Sequence, residues 1–71
     1  MKKDKIILCH SEPNFLHVII RYPNNRGVSI ISSPDGMEII ELGFYGFIRR
    51  GIGEPVETSD LNAFCNTIRN K

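Results

Sequence analysis

Val28-Ser29-Ile30-Ile31-Ser32-Ser33-Pro34-Asp35-Gly36-Met37-Glu38-Ile39-Ile40-Glu41-Leu42 is the stretch that decides the fold. Two runs rich in isoleucine flank a turn signal. Pro34 presets φ for a turn, Asp35 can bond its own backbone, and Gly36 accepts a positive φ. The stretch predicts a β-hairpin.

The same grammar extends outward. Ser11-Glu12-Pro13-Asn14 and Pro23-Asn24-Asn25-Arg26-Gly27 are further breaks. Between the breaks lie Lys5–His10, Phe15–Tyr22, Val28–Ser32 and Met37–Phe44, all short and rich in Ile, Val, Phe and Tyr. Short strands joined by turn-sized loops predict an antiparallel meander. Tyr45–Arg50 reads as a bent continuation or a fifth strand, because Gly43, Gly46, Gly51 and Gly53 punctuate it. Gly51–Glu57 reads as a loop. After Asp60 the period changes: Leu61, Phe64, Cys65 and Ile68 follow i, i+3, i+4, i+7, one face of a helix over about residues 59–70. Thr58 or Ser59 is expected to cap it, with Asp60 in its first turn. Phe64 is expected to anchor it, with Phe64→Ala costing about 3–5 kcal/mol. The expected fold is α+β: a four- or five-stranded antiparallel sheet with one C-terminal helix packed on one face.

Composition sets the outer bounds. At 71 residues, 41% apolar and 24% charged, the chain has room for one domain with a thin core. No apolar run is long enough for a membrane span or a signal-peptide core, so a cytoplasmic location and no membrane partner are expected. A formal net charge of +1 argues against purely electrostatic nucleic-acid binding over the whole surface. Cys9 and Cys65 are expected to be reduced, buried fillers.

Four doublets carry the functional reading: Ile6-Ile7, Ile19-Ile20, Ile30-Ile31 and Ile39-Ile40. Neighbours in a strand point to opposite faces, so each doublet sends one isoleucine to each side. Sorted by dryness, Ile6, Leu8, Leu16, Val18, Ile20, Tyr22, Val28, Ile30, Ile40, Leu42 and Phe44 fall on the helix side. Ile7, Cys9, Phe15, His17, Ile19, Arg21, Ser29, Ile31, Met37, Ile39 and Glu41 fall on the other. One helix covers one face, and a bare apolar face on a small protein marks an interface. The alternatives are a sheet that curls into a small barrel, with corners at Gly43 and Gly46, or a different register.

The expected function is therefore a small non-enzymatic protein-binding module. It would mask or inhibit a partner protein, or self-associate as a homodimer, as adaptor, regulatory and mobile-element inhibitor proteins of this size do. The contact residues expected are Phe15, His17, Ile19, Arg21, Ile31 and Ile39. The alternative is a small nucleic-acid-binding module using Tyr45, Arg49 and Arg50, where an aromatic face could stack on bases and arginines meet phosphate. No metal or cofactor is expected: Cys9 and His10 are adjacent and point oppositely, and no paired ligand spacing occurs. Cys9 and His17 could approach across neighbouring strands, but nothing supplies the oxyanion donors and pocket that catalysis needs.

Overall fold

The computed structural model describes residues 3–46, 48–57 and 60–71. The strands are β1 (Lys5–Glu12), β2 (Phe15–Arg21), β3 (Arg26–Ser33), β4 (Gly36–Tyr45) and β5 (Ile48–Glu57), followed by one helix, α1 (Leu61–Arg69). They form one antiparallel sheet in the order β1-β2-β3-β4-β5, so every strand pairs with its neighbour in sequence. This is the expected α+β meander with a single C-terminal helix.

The turns do what their residues dictate. Gly36 takes φ 138° after Pro34-Asp35, and Gly46 takes φ 66° between β4 and β5. Asn25, a residue type that tolerates the left-handed region, carries φ 63° in the β2–β3 connection. Gly51–Glu57, expected as a loop, belongs to β5. The strand accommodates its glycines locally. Gly51 lies beneath Ile40, where an added Cβ would come 3.1 Å from Ile40 Cδ1. The pairing with β4 slips once between Ile39 and Glu41.

Directly paired residues share a face, so the register sorts the side chains. Val28 and Ile30 of β3 pair with Ile20 and Val18 of β2, and Ile30 pairs with Ile39 of β4. These residues lie under the helix. Tyr22, Val28, Ile30, Ile39 and Ile68 form the buried cluster there, with Met37, Leu61, Phe64 and Cys65 packed against it. The periodicity of the helix is thus realised, but its anchor is Ile68, at 3% exposure, while Phe64 is only half-buried.

Both ends of the helix are tied. Asp60 is the N-cap itself, its carboxylate accepting from the Ala63 amide at 3.0 Å. Thr58 and Ser59, the expected caps, lie outside the described residues. At the other end, the Asn24 side-chain amide donates to the carbonyls of Ile68 and Arg69 at 3.0 and 3.2 Å. These are among the last carbonyls of a helix, which lack intrahelical partners. Arg69 pairs with Asp4 at 3.1 Å. Glu41 sits on the helix face and binds both Arg26 at 3.1 Å and Lys71 at 2.9 Å.

Truncating Ile68 to Ala should cost about 2–5 kcal/mol, and truncating Phe64 distinctly less, by denaturant melts. Tyr22 supplies a second prediction. Burial, and then a hydrogen bond and charge coupling with Cys65, raise its phenol above the ordinary value of 10.0. Below that value folded and unfolded chains both hold the proton. Above it the unfolded chain ionises first, so stability falls as pH rises. Tyr22→Phe should flatten the alkaline decline of Tm above about pH 10.

Candidate interaction face

The face without the helix is assembled row by row across the strands. His10, His17, Ile31, Glu38 and Glu57 form one row. Leu8, Ile19, Ser29 and Ile40 form the next. Lys5, Arg21, Gly27, Leu42 and Gly51 form the third, and Phe44 pairs with Arg49 beyond it. Phe15 pairs with Glu12 at the opposite end.

Two features separate this face from the expected one. The Pro34-Asp35 turn pairs Ser33 with Gly36, which fixes Ile30 opposite Ile39. Ile39 and Met37 therefore lie under the helix, and Ile39 is 0% exposed. Ile40, Leu42 and Phe44 take the bare side instead. Sorting β4 by dryness misplaced them because Glu41, a charged residue, sits on the helix side with Arg26 and Lys71 as partners. In β1 the pairing with β2 slips between Ile6 and Leu8, leaving Ile7 as the extra residue. The bulge turns Leu8 and His10 to the bare face and Cys9 to the helix face, opposite Val18. Cys9 and His17 thus lie on opposite sides of the sheet. Cys9 is an exposed free thiol, not a buried filler.

Half of the bare face covers itself. Ile19, Leu42 and Phe44 are buried at 3%, 5% and 7% exposure without any helix above them, with Ile40 packed alongside. The Phe44 ring fills the space over Gly27, and the Arg21 guanidinium lies 4.9 Å from its centroid. A cation over an aromatic face is attracted by the ring quadrupole. The expected contact residues Ile19 and Ile39 are thus both buried within the single chain: Ile19 by this local cover, Ile39 by the helix. Arg21 is spent largely on Phe44 and on Asn25 Oδ1, to which it donates at 2.9 Å.

What stays open is a smaller patch toward the Pro13-Asn14 and Pro34-Asp35 turns. Leu8, Phe15 and Ile31 are 37%, 36% and 37% exposed. His10 sets its ring edge-on to Phe15 with centroids 6.3 Å apart. His17 Nε2 and the buried Ser29 hydroxyl are hydrogen-bonded at 3.0 Å. Phe15, Ile31, Ser33, Asp35, Glu38 and Glu57 line a shallow hollow of about 310 Å³. The hollow is apolar on one side and acidic on the other. The opposite end of the same face carries Lys5, Arg21 and Arg49.

The alternative site does not share one surface. Arg49 pairs with Phe44 on the bare face, whereas Arg50 pairs with Gly43 and Tyr45 with Ile48 on the helix side of the sheet. Tyr45 is 63% exposed, but Phe44 is buried. Phe47 lies outside the described residues. Among the described residues, no three of His, Cys, Asp and Glu come together as a metal-binding group, and no helix is long and apolar enough to cross a membrane.

Gly27 is the position most sensitive to a single methyl. A Cβ there would strike the Ile20 carbonyl oxygen and come within 2.7 Å of Phe44 Cε2. Backbone cannot yield as a side-chain tip can. Gly27→Ala should therefore cost about 1–3 kcal/mol or more in a thermal or denaturant melt, and should loosen Phe44. Comparison with protein-family models, curated proteins and solved structures returns no match.

Proposed function

We propose that the chain is a non-enzymatic protein-binding module. It masks a partner protein through the open part of the sheet face that the helix leaves bare. The observation that carries this reading is the exposure of Phe15 and Ile31 in one hollow with the acidic residues Asp35, Glu38 and Glu57, with exposed Leu8 beyond the His10–His17 row on the same face. A buried apolar centre with a polar rim is the anatomy of an interface that gains energy at its middle and specificity at its edge. The partner this hollow fits offers an apolar side chain flanked by lysine or arginine. A second copy docking the same corner about a two-fold axis is disfavoured. It would bring the two sets of acidic residues together.

The site residues of this reading are Phe15, His17 and Ile31 from the sequence, joined by Leu8 and His10. The nucleic-acid alternative draws less support, because Arg49 and Arg50 face opposite sides of the sheet.

The test uses the full chain as bait, with Ile31→Glu and Phe15→Asp as paired variants. Both positions are open enough to keep the fold, which circular-dichroism melts would verify. A protein retained by the wild type should lose at least about tenfold in affinity with either variant, equivalent to about 1.4 kcal/mol. Equal retention by wild type and variants, or no retention by any, would overturn the reading.

A further inference from the structure

The two edges of the sheet are guarded very differently. Both edge strands slip once against their neighbours, but the β5 edge also contains Pro55, which has no N–H, and Gly53 at φ 74°. Such features blunt an edge against further pairing. The β1 edge has no proline or glycine over its eight residues, and all eight are exposed. Three of them are Ile6, Ile7 and Leu8, at 65%, 41% and 37% exposure. An open, apolar edge strand is a template for another strand.

We infer that β1 pairs antiparallel with β1 of a second copy, extending the two sheets into one across a two-fold axis at Cys9. The register follows from the bulge. In each copy Lys5, Leu8, His10 and Glu12 share the bare face, while Ile6, Cys9 and Ser11 share the helix face. Cross-strand partners must lie on the same face. Centred on Cys9, the pairing sets Lys5 against Glu12 of the second copy, Ile6 against Ser11, Leu8 against His10, and Cys9 against its own counterpart. Ile7 is left over in each copy, as it already is against β2. Every other residue of the strand is used, and unlike charges meet at both ends. Centring on Leu8 instead would oppose Lys5 with His10 and strand Glu12. Centring on His10 would leave Lys5 and Ile6 without partners. Charge complementarity therefore selects both the occupant and the register.

This contact uses an edge and does not depend on the face reading above. It does place Leu8 and His10 of both copies side by side, so the open apolar patch continues across the axis.

The test begins with sedimentation equilibrium of the full chain, which should show a reversible monomer–dimer equilibrium. Lys5→Glu and Glu12→Lys, both at exposed positions, should each weaken dimerisation about fivefold to tenfold. The double variant should recover most of the loss, because it restores unlike pairs in reversed order. Cys65→Ser leaves Cys9 as the only thiol. Directly opposed strand residues have Cα atoms about 4.5–5.5 Å apart, within disulfide reach. Diamide, which takes up the two protons and two electrons released, should then cross-link this variant into a covalent dimer. A monomer at every concentration with no cross-link overturns the inference, as does a double variant no better than either single. Ile31→Glu should leave this equilibrium unchanged while abolishing capture at the face, which keeps the two readings separable.

Discussion

A two-residue turn leaves a hairpin no freedom in its partners. Once Pro34-Asp35 closes the β3–β4 connection with Ser33 opposite Gly36, Ile30 must face Ile39 and Val28 must face Glu41. Everything on the helix side follows from that pairing. Ile39 is sealed beneath Ile68, and Glu41 is carried to a position where it needs cations. Arg26 from β3 and Lys71 from the C-terminal end provide them. A carboxylate whose side chain is only 12% exposed would be costly alone. Here it ties the end of the chain to the sheet.

The same register sends Ile40, Leu42 and Phe44 to the side without a helix. The sheet responds with local cover. Gly27 gives the Phe44 ring a seat on the backbone, and Arg21 closes over it from the neighbouring strand. The face thereby divides into a self-sealed half and an open half, and only the open half is available to a partner. Its apolar residues are drawn from β1, β2 and β3, and its acidic ones from the Pro34-Asp35 turn, β4 and β5.

Much of this was legible in the residues. The breaks at Pro13-Asn14 and Pro34-Asp35-Gly36, the strand-sized runs between them and the Leu61, Phe64, Cys65, Ile68 spacing each state their structure through local chemistry. The faces were less legible. In β4 the mistake came from ranking residues by dryness, when counting outward from the Pro34-Asp35 turn would have placed Ile39 under the helix. In β1 nothing announces the bulge at Ile7: no glycine or proline stands there, and the slip arises from pairing with β2. Leu8 and His10 were consequently missed as members of the open patch, and Ile19 was misjudged because its burial beside Leu42 and Phe44 of β4 has no local signature. The fifth strand was half-seen, since its glycines signal bends but not whether pairing continues through them.

The meander and the helix differ in how far along the chain they reach for support. Each strand finds its partner immediately before or after it, whereas the Asn24 amide meets Ile68 across 44 positions. Closing short loops costs little entropy, and folding speed tracks the share of near-neighbour contacts. The ribbon of hairpins thus pairs through short loops alone. Docking the terminal helix, whose last carbonyls are received by a remote asparagine, closes a far longer loop than any hairpin does.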